Sequence, residues 1–261
     1  MATEIEHLPV TPGDAPGVRA RIGLLLLATD YATESEMRHL WPGDDSSVAW
    51  FTSRVPNANP VTVDNLHAMG PELARATGTI LPGERLSALA YGCTSATVLL
   101  GVAETKALLT RGRRDVPVTT PAIGALAAFR ALRAERVAVL TPYPDPINTA
   151  IGDFLAGHGH PVARFGSFHL DTDAAMSGVR ETDIARAAAH LDTPAADAVF
   201  ISCTALRATR CITALEAELG KPVVASNQAM IWHALRLAEI RDARPGLGTL
   251  LTRDLDGDPA A

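Results

Sequence analysis

Short apolar runs alternate along this chain with longer amphipathic stretches, and that alternation constrains the fold more than any other feature, because it is the pattern of βα units around a mainly parallel sheet. The apolar runs predict strands at 22–28, 48–52, 86–91, 116–119, 137–140, 161–165, 198–202 and 222–225. Helical spacing predicts helices at 63–76, 96–109, 122–132, 148–156, 182–191, 205–219 and 229–240. Read coarsely, one order of elements occurs twice, from near Ile22 and again from near Arg136, so the chain reads as a duplication.

Each half carries one Cys-Thr step at the end of an apolar run. Tyr91-Gly92-Cys93-Thr94-Ser95 closes one run and Ser202-Cys203-Thr204 the other, both roughly 70 residues into their halves. In open α/β sheets the carboxyl ends of strands face the ligand. A helix expected directly after each step would offer its unpaired N–H groups and positive dipole end, which depress a thiol pKa and hold a carboxylate. Thr94, Ser95 and Thr204 add hydroxyl donors. A lone strand-end cysteine is ordinarily packing; two at matching points of a repeat point to chemistry. Cys211, expected two turns into a helix, reads as packing.

Composition narrows the function classes. With 47% hydrophobic residues in 261 the chain can bury a large core, and its net charge of −6 offers no basic footprint for nucleic acid or anionic lipid. Three cysteines in so long a chain suit free thiols in a reducing compartment, and a cytoplasmic location is expected. The apolar run at 22–28 is far below the ~20 residues of a membrane span, and no membrane partner is expected. The C-x-x-C and H-x-x-x-H spacings are missing, as are a P-loop and a G-x-G-x-x-G after the first strand. We therefore expect neither a metal nor a nucleotide cofactor. Residues 1–17 and 241–261, rich in Pro, Gly, Asp and Arg, are expected to be flexible tails.

Tyr91-Gly92-Cys93-Thr94-Ser95, Thr141-Pro142-Tyr143, Ser202-Cys203-Thr204 and Ser226-Asn227-Gln228-Ala229 together resemble the aspartate/glutamate racemase superfamily. The likeness is to its branch of maleate cis-trans isomerases, arylmalonate decarboxylases and the ectoine-utilisation protein EutA, and it runs from about Ile22 to Ile240. It implies two Rossmann-like lobes with mainly parallel four-stranded sheets, related by a pseudo-twofold, with the active site between them. The first lobe would span 18–121, completed by the C-terminal helix at 226–240, and the second 122–225. A homo-oligomer, dimer or tetramer, is expected.

The resemblance also implies roles. Cys93 would be the nucleophile and Cys203 the proton donor of a cofactor-independent isomerase or racemase acting beside a carboxylate of a small acid or amino-acid derivative. Arylmalonate decarboxylases are similar but lack the first cysteine, so Cys93 argues against simple decarboxylation. Tyr143 matches a tyrosine whose phenol can donate to a bound carboxylate. Asn148 and Asn227 can orient substrate or thiol, or cap helices. The isomerases resemble one another in having Asn where this chain has Asp30. A carboxylate there favours an ammonium-bearing substrate and hence an EutA-like role in ectoine breakdown, unless Asp30 only caps the next helix. Maleate isomerisation, arylmalonate-type decarboxylation and a non-catalytic small-molecule binding module are the alternatives.

Overall fold

The structure, a computed structural model, describes residues 3, 5–42 and 47–255. The first lobe runs β1 (Ala20–Leu27), α1 (Thr33–Leu40), β2 (Val48–Val55), α2 (Val63–Ala68), α3 (Gly70–Gly78), β3 (Ala88–Tyr91), α4 (Thr94–Leu100), α5 (Val102–Gly112) and β4 (Val118–Thr119). After α6 (Pro121–Leu132), the second runs β5 (Val137–Thr141), α7 (Asp145–Gly157), β6 (Val162–Ser167), α8 (Asp173–Ser177), α9 (Glu181–Leu191), β7 (Ala198–Ile201), α10 (Ile212–Leu219), β8 (Val223–Ala225) and α11 (Ser226–Leu237). All pairings are parallel, and the two four-stranded sheets share one order, β2-β1-β3-β4 and β6-β5-β7-β8.

The central strands explain why the alternation is so readable. β3, β5 and β7 are buried at every residue, as strands covered on both faces must be, and so appear as unbroken apolar runs. The outer strands β2 and β6 have partly exposed interiors. The registers place Ile22 between Trp50 and Ala88, and Val139 between Phe165 and Phe200.

The lobes are joined by an exchange of helices. α6, which follows the first sheet, packs on the second through Phe129, edge-on to Phe200 at 5.4 Å. Conversely, α11 follows the second sheet and packs on the first, where His233 Nδ1 lies 2.8 Å from Thr119 Oγ1. The two helices cross at Gly124, where a Cβ would stand 2.6 Å from the carbonyl oxygen of Ala229.

Several expectations about helices need correction. The stretch 96–109 is two helices, because Gly101 at φ 85° ends α4 where its amide bonds back to Thr97. The stretch 63–76 is also two, parting at Met69 before Pro71 in the first turn of α3. Of 205–219 only α10 is helical. Thr209 N–H is spent on the buried Glu36 carboxylate of α1, 2.9 Å away, so the chain crosses to the other lobe before it coils. α1 and α8 leave no helical periodicity in the sequence because they are only eight and five residues long.

Within the expected C-terminal tail, residues 241–255 contact α11; residues 1, 2, 4 and 256–261 of the expected tails lie outside the described residues. Leu250 and Leu251 are fully buried. Arg253 carbonyl accepts from Trp232 Nε1 and Arg236 Nε, both at 2.9 Å, which straps the segment onto α11. Among the described residues no helix is long and apolar enough to cross a membrane.

Candidate active site

Both Cys-Thr steps end at one cavity between the lobes, lined by Cys93, Ser95, Tyr143, Asp173, Cys203 and Thr204. Residues 57–69 close it with Asn57, Val61, Leu66 and Met69. The space left is about 20 Å³, room for roughly one water.

Cys93 caps α4. Its Sγ accepts the Ala96 N–H at 3.4 Å and lies 3.7 Å from Ser95 Oγ. The Cys203 surroundings differ from expectation, since no helix begins there; Sγ instead accepts the Ala205 N–H of a turn at 3.3 Å. Cys211, expected well inside a helix, is the residue before α10, and its thiol donates to Ala208 carbonyl at 3.1 Å, away from the cavity lining.

The expected depression of the thiol pKa values is overturned. Burial pushes Cys93 up to about 11 and Cys203 up to about 12, and the amide and hydroxyl donors around them recover only part of that. The Asp173 carboxylate adds to the rise at both. In the closed site at neutral pH both sulfurs are therefore thiols. The Tyr143 hydroxyl hydrogen-bonds Cys203, and burial holds its own pKa well above the usual value.

The remaining expected residues form the frame of the cavity. Asn148 donates to Tyr143 carbonyl at 2.7 Å and accepts from Thr141 Oγ1, which fixes the loop that presents the phenol. Asn227 donates to Thr204 carbonyl at 2.8 Å and accepts from Thr33 Oγ1 at 3.2 Å. Thr204 Oγ1 in turn donates across the lobes to Gly92 carbonyl at 3.3 Å, while Thr94 Oγ1 pairs with Ser226 Oγ at 3.0 Å. None of Asn148, Asn227 and Thr94 lines the cavity.

The Asp30 carboxylate bonds the residues that open α1. Its Oδ1 accepts from Ala32 N–H at 2.9 Å and Thr33 N–H at 2.8 Å, and its Oδ2 from Thr33 Oγ1 at 2.7 Å. Asp30 is not among the residues that line the cavity.

Sequence reasoning missed Asp173, Asn57 and Thr29. Asp173 Oδ2 accepts from Thr29 Oγ1 and from Asn57 Nδ2 at 3.1 Å, and Asn57 also donates to Thr29 Oγ1 at 2.7 Å. The available signal was the repeat itself: Asn57 follows β2 and Asp173 follows β6, the matching strands of the two halves. Among the described residues no group of three or more His, Cys, Asp or Glu is placed to hold a metal ion.

Two parallel four-stranded sheets in the same strand order, with a buried thiol from each half lining one cavity, define the class of α/β protein to which this chain is compared. Residues 77–251 match the model of the arylmalonate decarboxylase family, and the chain belongs to that family. A maleate isomerase of Nocardia farcinica is 26% identical over 91% of this chain and 97% of its own. The crystal structure of the maleate isomerase of Pseudomonas putida S16 with maleate superposes with a TM-score of 0.82 at 24% identity, covering 89% of this chain and 97% of that one. The Nocardia farcinica maleate cis-trans isomerase with a covalently bound succinylcysteine intermediate gives 0.81 at 23% identity, over 89% and 98%.

Proposed function

We propose that this protein is a cofactor-independent isomerase of small carboxylic acids that uses Cys93 as nucleophile and Cys203 as proton partner, with cis-trans isomerisation as its reaction. The observation that carries the reading is the convergence of both thiols on one closed cavity. The succinylcysteine of the Nocardia farcinica relative supports the covalent route.

In this scheme Cys93 enters as the thiolate, having lost its proton to solvent while the site is open. Its sulfur bonds to one alkene carbon of the acid. The π pair takes the Cys203 proton at the neighbouring carbon, leaving a single bond free to rotate. Return of that proton to Cys203 re-forms the double bond and expels the Cys93 thiolate. Ser95 and Tyr143 supply neutral donors for the carboxylate on which charge gathers, while Thr204, whose hydroxyl is held by the Gly92 carbonyl, lines the wall. The narrower EutA-like role rests on resemblance alone, and its residue argument was Asp30, whose carboxylate is taken by α1.

Proton NMR in heavy water with maleate, small amino acids and an arylmalonate tests the reading. Conversion of a cis acid to its trans isomer is the expected result. Loss of carbon dioxide from the arylmalonate without isomerisation of any acid would make the protein a decarboxylase, and binding without turnover a binding module.

A further inference from the structure

The cavity contains one carboxylate, that of Asp173, and no Lys, Arg or His side chain among its lining residues. Asp173 is 7% exposed and forms no salt bridge among the described residues. Its Oδ2 is held by Thr29 and Asn57, and its backbone N–H donates to Asn59 Oδ1 at 3.2 Å, so the group is fixed in place. Its Oδ1 accepts no hydrogen bond from the described residues. The charge is felt at both sulfurs, whose ionisation it opposes.

A dianionic acid entering this space brings its charge against a fixed carboxylate in a poorly solvated site, where like charges repel strongly. An ammonium on the same acid reverses the sign. It would occupy the open lone pairs of Oδ1, and by offsetting the Asp173 field it would favour the thiolate the reaction needs. We propose that Asp173 selects small acids that carry an ammonium group over acids of the same size that lack one. This rests on the reading of the cavity as the substrate site, and it deepens that reading by naming the substrate class.

Affinity read by ligand-induced thermal shift at pH 7.5 tests it without requiring turnover. Succinate and aspartate differ only by the ammonium group; maleate and 2,3-diaminopropionate extend the pair. Wild type is expected to bind aspartate and 2,3-diaminopropionate roughly tenfold or more tighter than succinate and maleate. Asp173→Asn should erase or reverse that ranking, and Asp173→Glu, which keeps the charge, should preserve it.

Succinate binding as tightly as aspartate in wild type overturns the proposal, and that result needs no variant. So does a ranking unchanged in a folded Asp173→Asn. Wild type that isomerises maleate and shows no ammonium preference would end this inference and leave the isomerase reading standing. Preference for ammonium acids with no turnover of any acid would do the reverse.

Discussion

Replacing Cys93 or Cys203 by Ser lowers turnover by about 10²–10⁴-fold, the range for loss of a positioned acid, base or nucleophile. In the proposed scheme each thiol has a separate task, one forming the bond to carbon and the other moving the proton, so neither would substitute for the other. The swap is close in size, and both side chains lie in a cavity wall held by backbone contacts from Ala96 and Ala205, so the fold survives it. Cys211→Ala leaves turnover unchanged, because that thiol bonds to Ala208 outside the cavity. Steady-state kinetics on the three variants, with circular dichroism to confirm folding, checks the ranking. A Cys203→Ser enzyme as active as wild type would remove the proton partner from the scheme.

The second large effect concerns stability. Gly124→Val destabilises the protein by about 3 kcal/mol, at the upper end of ordinary overpacking, and lowers Tm by roughly 6–12 °C. Its added Cβ meets the Ala229 oxygen at 2.6 Å and the Met230 nitrogen at 3.0 Å. Both are backbone atoms of α11, which cannot rotate aside as a side chain would. The crossing of α6 and α11 ties the lobes together, so the strain falls on the contact between them. Thermal unfolding of the variant measures it, and a Tm within a degree of wild type would show that the crossing yields freely.

The strands were legible because a parallel strand buried on both faces leaves a continuous apolar run, as in Leu24–Leu27 and Val137–Leu140. The two Cys-Thr steps were legible because they fall at the same place in a repeat. Helix ends were not. The break at Gly101 depends on a positive φ, and the turn at 204–211 on the remote contact between Thr209 and Glu36; neither leaves a local pattern. Asp30 shows the same limit, since a carboxylate two or three residues before a helix reads equally as a cap or as a ligand group until its partners are seen. Asp173 and Asn57 lie outside the apolar periodicity and acquire meaning only when the lobes close. The thiol pKa values depend on burial, which a helix N-terminus alone does not reveal.

The central claim is that Cys93 forms a bond to substrate carbon while Cys203 moves the proton. The most direct test is to incubate Cys203→Ser with the acid that wild type turns over fastest, then unfold, digest and map the products by mass spectrometry. The account predicts one acid attached to the peptide bearing Cys93, formed slowly with a proton drawn from solvent in place of the Cys203 thiol and held because no base is placed to take that proton back, with Cys211 unmodified. An acid found on Cys211, or Cys93 left bare under conditions where wild type turns over, would contradict it.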